Sequence, residues 1–473
     1  MNRREPAGEF PWVDKPSSAP APGLRRVLGV RDLVVYGLVL IQPIAPVGIF
    51  GLSSQMSRGH VSTTILLAMV AMSLTAFSYG RMAALYPSAG SAYTYVGRAF
   101  GAHLGFCAGW AMFLDYLVIP LLNVVFCGLT LARLVPAVPY AVWAILTAVV
   151  ATLLNLRGVR ATARANTILL AVMCVVIAAF VILAARFIGS AHGWPALFTT
   201  RPFYNPATFE WSAVASATSL AALTYIGFDG VTTLAEEVEN PRRSVPLATV
   251  LTCLLTGGFS LVEVYLADLA WPDYTTFPNA ETAFMDVTQR VGGAALFQAM
   301  GVVLILACVG SGMSGQAGLA RLLYRMGRDG TLPGRFFGYV SASRGIPTWN
   351  ILGCGVLTLG GALVLPYQYA AELLNFGAFL AFMGVNLAVV RQCWFRRTQG
   401  DPRRLVADLL APVLGFLFCL VIWLNLSNVA KIAGGGWLVL GLVYLAWRTR
   451  GFRAPVAPLN LEESANVTGE TPT

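Results

Sequence analysis

The chain has 473 residues with a mean hydropathy of +0.68; 57% are apolar and only 11% are charged. A soluble chain carries about 25% charged residues, so a soluble enzyme and a nucleic-acid binder are excluded as default readings, in spite of a formal charge of +10. The apolar residues come in long blocks, and a membrane span needs about 20 of them. The expectation is an all-α polytopic membrane protein with 12 transmembrane helices.

In chain order, the pattern predicts helices over 32–56, 62–85, 93–132, 139–156, 162–188, 212–236, 246–270, 293–324, 348–365, 369–390, 406–427 and 432–448. With the N-terminus inside, 26 of the 32 Lys and Arg residues fall in cytoplasmic segments and 6 in external ones. The inside set includes Arg25, Arg26, Arg157, Arg160, Arg164, Arg242, Arg243, Arg325, Arg328, Arg396 and Arg397. This is the positive-inside bias; it places both termini in the cytoplasm and explains the basic balance without nucleic acid. The first 31 residues have no apolar core, so they read as a disordered cytoplasmic tail and not as a cleavable signal peptide; 449–473 reads as a second tail.

Two predicted spans are interrupted. The first contains Pro43-Ile44-Ala45-Pro46-Val47-Gly48-Ile49-Phe50-Gly51, and two prolines there remove ladder hydrogen bonds. The sixth contains Gly227-Phe228-Asp229-Gly230, an acid between two glycines. Irregular backbone at membrane depth is tolerated only where it is buried in protein or lines a cavity. Spans one and six are equivalent positions in two five-helix repeats, and paired broken helices point to a midplane binding site in an inverted-repeat transporter. A pair of kinks that serve packing alone is the competing reading.

Other segments follow in order. Tyr86-Pro-Ser-Ala-Gly-Ser-Ala-Tyr93-x-Tyr95 with Phe100-Gly101 comes after span two, and Asn155-Leu-Arg-Gly158-Val-Arg160 links spans four and five. Ala235-Glu236-Glu237-Val238-Glu239-Asn240-Pro241-Arg242-Arg243 closes span six, and Arg325-Met-Gly-Arg328-Asp329-Gly330-Thr-Leu-Pro333 closes span eight. Together these resemble the amino acid–polyamine–organocation (APC) permeases over about residues 25–450. The resemblance implies the five-plus-five inverted-repeat fold with broken helices 1 and 6, two additional helices and alternating access. The domains are then 32–188 for the first repeat, 189–390 for the second with its external loop, and 391–448 for the extra pair. Within the superfamily, Gly227 to Glu237, Arg321 to Asp329 and Leu374-Asn375-Phe376-Gly377-Ala378 are most similar to bacterial putrescine importers.

The chain has two lysines, Lys15 and Lys431, and neither forms a phosphate-binding loop. Its three histidines are far apart and its eight cysteines form no metal or disulfide pattern, so no metal and no cofactor is expected. The ionisable groups inside predicted spans are acids almost without exception, and no Lys or Arg sits deep in one. Asp115 lies within span three, Asp229 in the break of span six, Glu236 and Glu237 at its end, and Glu263 and Glu372 nearer the outer face. Each such group is costly at membrane depth and needs a reason. A cavity with acids and no basic partner suits protons or a cationic substrate. Asp115 is either a substrate-lining acid or a carboxyl bonded to a neighbouring helix. Asp229 is either a substrate or proton-coupling group or a helix cap. Glu237 reads as an inner-gate partner of Arg242 and Arg243, with proton relay as its second role.

The resemblance also bears on substrate. The family's amino-acid permeases offer a Gly-Ser-Gly-like turn at the first break to hold a carboxylate. Here the turn is Ala45-Pro46-Val47-Gly48, which supplies fewer donors and favours amines over zwitterions. Leu223 stands where the arginine/agmatine exchangers have a gating tryptophan. The candidate substrate site is therefore Ala45, Pro46, Gly48, Ile49, Asp115, Tyr116, Tyr225, Phe228 and Asp229, with Tyr225 and Phe228 as cation–π walls or as packing. Asp229 and Glu237 are the proton-coupling candidates. The Ser311–Ser314 pair leaves a sodium site open beside helix packing.

The leading expectation is proton-coupled import of a putrescine-like amine across the inner membrane. An amino-acid permease of the same fold comes second, and a channel-like or sensory membrane protein or a membrane-embedded enzyme is less favoured. The oligomeric state is unassigned. The orientation is checked by Ser17→Cys or Ser464→Cys in a cysteine-free background, where impermeant thiol reagents applied to intact cells should label neither. Labelling at both reverses the orientation.

Overall fold

The computed structural model describes residues 28–87, 90–158, 163–341, 344–396, 404–451 and 453. The tail assignments over 1–27 and 454–473 lie outside the described residues, as does the side chain of Glu236. The described chain is helical throughout its regular structure, with one isolated parallel bridge between Leu28 and Val238.

The first predicted span is two helices, α1 (Val30–Ile41) and α2 (Pro46–Met56), bent by 53°. The cause is local. Pro43 pushes the residue before it out of the helical region, and Gln42 takes φ 69° and ψ 112°. Pro46 then occupies the first position of α2, where its missing N–H costs nothing. There follow α3 (Val61–Leu85), α4 (Ser91–Phe100), α5 (Ala102–Leu134), α6 (Tyr140–Leu156) and α7 (Ala163–His192). The expected helix 93–132 is thus two helices, separated at Gly101, whose φ of 104° no helix accommodates.

The sixth predicted span changes helix type at its glycines. Helix α8 (Trp211–Ala221) tightens to a 3₁₀ turn at Ala222–Tyr225, breaks at Gly227 with φ 120°, and continues as a 3₁₀ segment over Phe228–Glu237. The restart is 3₁₀ where the sequence suggested a short α-helix. Next are α9 (Pro241–Ala270), α10 (Ala283–Arg328, kinked at Gly293), the short α11 (Gly334–Phe337), α12 (Thr348–Val364) and α13 (Tyr367–Val389). Helix α10 begins ten residues before the expected 293 because the segment before Gly293 is itself helical. A π-helical turn over Leu405–Leu410 leads into α14 (Ala411–Leu424), and α15 (Asn428–Arg448) ends the described bundle.

Nine described segments are long and apolar enough to cross a membrane, and the bent pair α1–α2 makes ten. Helices α6 and α12, also apolar, have 17 residues each, the lower limit for a span.

Helix α5 lies at the centre, packed by α4, α10 and α13 and flanked by α6, α12 and α15. Its union with α15 is specific: the Trp110 and Trp437 rings stack at 4.8 Å and each indole N–H donates to the other's carbonyl, at 2.8 and 2.9 Å. Helix α3 packs along α9, and the Arg81–Asp408 ion pair ties α3 to the turn before α14. Leu28, Ser91, Thr232, Asp329 and Arg448 gather at one end of the bundle; the contacts Thr232–Ser91, Tyr93–Asp329 and Arg448–Gly330 connect it. At the opposite end, Arg58 pairs with Glu210 at 2.7 Å and Arg133 pairs with Asp286.

Helices α5 and α13 meet most closely at Gly377, where a Cβ would stand 2.5 Å from the Ala111 carbonyl and 3.1 Å from the Asp115 amide. Overpacking of this kind costs about 1–3 kcal/mol. Gly377→Ala should lower the melting temperature in detergent, whereas Gly353→Ala, with open space around its Cβ, should leave it unchanged.

Candidate functional site

A cavity of about 80 Å³ lies where the two breaks face each other. Leu40 to Gln42, Ile44 and Ala45 line it from the first break, and Leu223, Ile226 and Gly227 from the second. Ile119, Leu122, Asn123 and Phe126 of α5, Cys308 and Ser311 of α10, and Tyr367 and Leu374 of α13 complete it. A larger hollow of about 710 Å³ lies outside this site, among apolar residues of α3, α9 and the segment 404–411, and holds none of the candidates.

The cavity is organised by a chain of side-chain hydrogen bonds. The Gln42 amide donates to Asn123 Oδ1 at 2.7 Å, and Asn123 Nδ2 donates to Ser311 Oγ at 3.3 Å and to the Ile119 carbonyl at 2.9 Å. Ser311 donates in turn to the Leu40 carbonyl at 2.8 Å. Leu40 is among the last residues of α1, whose carbonyls the break leaves without helical donors. The network thus caps the broken helix from α5 and α10.

The amides at the start of α2 are occupied locally. The Ala45 N–H bonds the Gln42 carbonyl at 2.9 Å, the Val47 N–H bonds Ile44 at 3.1 Å, and the Gly48 N–H bonds Ala45 at 3.2 Å. Pro46 has none. Gly48 faces the Tyr367 hydroxyl and the Phe126 ring, and Ile49 is fully buried. Of the nine expected substrate residues, only Ala45 lines the cavity.

The acids form a separate layer. Asp115 lies eight residues before Asn123 on α5, about 12 Å along the helix, toward the end that carries Leu28 and Arg448. Asp229 is buried there too, and the Tyr116 hydroxyl donates to its Oδ2 at 2.9 Å. Both Asp115 oxygens lack a hydrogen-bond partner among the described residues. Tyr79 and Tyr116 lie close to both carboxylates. Phe228 belongs to the aromatic plug around them, edge-on to Tyr79 at 5.5 Å and beside Phe382 at 5.1 Å. Tyr225 turns away, its hydroxyl bonded to the Ile65 carbonyl at 2.8 Å. The structure therefore brings Asp115, Tyr116, Phe228 and Asp229 together and sets Tyr225 apart.

Glu237 is nearer the chain end. Its carbonyl accepts from the Leu28 N–H at 3.1 Å, and it makes no ion pair with Arg242 or Arg243 among the described residues. Arg321, at the end of an expected span, is instead brought to the Tyr36 hydroxyl in the region that Asp229 and Glu237 also face.

Gln42 and Asn123 carry neither a charge nor an aromatic ring, so they do not stand out in the sequence. The available signal was a neutral amide inside an apolar run, since buried polar groups need partners. Ser311 was noted as packing or a sodium ligand; it holds the break. Asn123→Ala removes three hydrogen bonds at about 1 kcal/mol each. Uptake and thermal stability should both fall, while Asn425→Ala, outside the cavity, should change neither by a comparable amount.

The family profile described as amino acid permease matches residues 40–433. The low-affinity putrescine importer PlaP of Escherichia coli (strain K12) is 35% identical over 436 residues, covering 92% of this chain and 96% of that protein. The branched-chain amino acid permease BcaP of Lactococcus lactis subsp. cremoris is 26% identical, with 90% and 95% covered. The vacuolar cationic amino acid transporter 4 of Arabidopsis thaliana is 28% identical, with 78% and 63% covered. With membrane-length helices around a cavity at two helix breaks, these likenesses identify a membrane transporter and not an enzyme: the chain belongs to the amino acid permease family of the APC superfamily.

Proposed function

We propose that this protein is a secondary active transporter that imports a small, putrescine-like amine across the cytoplasmic membrane, coupled to protons, by alternating access. The observation that carries this reading is the vertical order of the site. A cavity between two broken helices offers amide, hydroxyl and aromatic groups and no basic side chain, and a buried acid pair lies one layer toward the chain-terminal end. An ammonium finds carbonyl and amide oxygen in the cavity and negative charge along its way in.

One further point favours an amine over a zwitterion. The amides of Ala45, Val47 and Gly48 are engaged in local turns, so they are poor hooks for a carboxylate. At about 80 Å³ the cavity is far below the roughly 300–1,000 Å³ of a drug-sized pocket, which suits a small substrate of either class. The relative PlaP is named a putrescine importer. An amino-acid permease is the second reading, supported by BcaP's coverage of 90% of this chain.

In this reading there are 12 spans. Helices α1–α2 through α7 form one five-helix repeat (32–188), the second covers 189–390, and α14 and α15 are the additional pair within 391–448. The bundle end at Leu28 and Arg448 faces the cytoplasm. Protons are the coupling ion because the buried ionisable groups beside the cavity are carboxyls, with Asp229 the coupling group and Asp115 the amine's electrostatic partner. Glu237 is the relay toward the cytoplasm.

Uptake into proteoliposomes tests the whole reading. Putrescine should compete with labelled substrate far better than alanine or leucine does. Asp115→Asn should weaken apparent affinity severalfold and keep the pH dependence. Asp229→Asn should retain exchange between internal and external substrate and lose accumulation driven by a pH gradient. Zwitterions ahead of putrescine would exchange the first and second readings, and gradient-driven accumulation by Asp229→Asn would move coupling to Glu237.

A further inference from the structure

Helix α9 carries a polar face that the substrate cavity does not use. Thr252, Thr256, Ser260 and Glu263 recur at intervals of four, four and three residues, which places them on one side of the helix. All four are 0% exposed. None of the three hydroxyls and neither carboxyl oxygen of Glu263 has a hydrogen-bond partner among the described residues. Thr249, one turn earlier, behaves differently: its hydroxyl folds back to the Val245 carbonyl at 2.8 Å, the usual recourse of a threonine inside a helix.

Buried polar groups are paired as a rule, with protein or with ordered water, and internal waters sit where several such groups converge. A run of four unpartnered polar side chains along one helix face is a line of such places. Its lower end is fixed by Thr252, which packs on Gly37 of α1 beside Val231, two residues beyond Asp229. Its upper end is Glu263, about 16 Å away along α9. There Cys174 of α7 is close enough to sense the Glu263 charge. No ion pair joins Glu263 to another element among the described residues.

We propose that this seam is hydrated and that its water connects Glu263 to the level of Asp229, making Glu263 a second protonation site of the transport cycle. The site is distinct from the Asp115–Asp229 pair. A proton leaves the Glu263 carboxyl as a water accepts it, and passes along the Ser260, Thr256 and Thr252 hydroxyls by exchange, each oxygen gaining one proton as it gives up another. The role in transport rests on the proton-coupled reading above; the hydration of the seam and the proton on Glu263 do not.

Infrared spectroscopy of the full-length protein in liposomes, transferred from H₂O to D₂O at constant pH, tests the seam directly. The protonated-carboxyl absorption should lose one component band in Glu263→Gln, and in wild type that band should shift on deuteration within the first spectra. In the double variant Thr256→Val, Ser260→Ala the band should remain and its shift should be at least about tenfold slower. A Glu263→Gln spectrum identical to wild type overturns the proposal, and so does a band that resists deuteration for hours. A band abolished by sodium at constant pH also overturns it, because the seam is then a cation site. Uptake separates the two inferences. Wild-type protein that ignores a pH gradient defeats the coupling reading whatever the spectra show. With coupling intact, Glu263→Gln should keep substrate exchange and lose part of its gradient-driven accumulation; unchanged accumulation removes Glu263 from the cycle.

Discussion

Backbone that leaves the helix at membrane depth has to find its hydrogen bonds inside the protein, since the hydrocarbon offers none. That constraint organises this molecule. Pro43 and Pro46 open the first span, and the amides of Ala45, Val47 and Gly48 are recovered by tight local turns. The Leu40 carbonyl is recovered from a distance by Ser311 of α10, which is joined through Asn123 of α5 to Gln42 itself. Two segments far along the chain thus converge on one broken helix, and the cavity is the space they leave.

The same constraint sorts the acids. A carboxylate within the bundle is tolerated where something compensates it, and here the compensation is graded. Asp408 has Arg81, Asp286 has Arg133 and Asp329 has Arg325. These pairs sit at the two ends; the first two join separate segments, and the third lies within the last turn of α10. Asp229 has a tyrosine hydroxyl, and Asp115 and Glu263 have no hydrogen-bonding partner among the described residues. Away from the ion pairs these acids have a neutral donor or none, as expected if they take their counterions from solution as protons or ammonium groups.

The division between cavity and acid layer also gives the aromatic residues their place. Tyr79, Phe228 and Phe382 form an edge-to-face cluster beside the two carboxylates. The cluster fills the space beside the acid pair with ring area, and Phe228 opens the 3₁₀ segment over Phe228–Glu237, whose hydrogen bonds are poorer than those of an α-helix.

Much of this was legible in the sequence. The composition dictated a membrane bundle, since no soluble core needs so few charges. The prolines and glycines of residues 43–51 and 227–230 located both breaks, because their effect on backbone geometry is local. Phe228 and Asp229 entered the candidate site with the second break, whereas Asp115 and Tyr116 entered it through the family resemblance of the third span. What sequence could not decide was which side chains point into the space between them. Tyr225 is two residues before Gly227, yet its hydroxyl is spent on α3; Gln42, Asn123 and Ser311, lying 81 and 188 residues apart in their contacts, form the cavity's polar frame. Pairings of that kind depend on how helices rotate about their own axes when they pack, and rotation is set by close approaches such as Gly377 on Ala111, which exist only once the tertiary structure has formed.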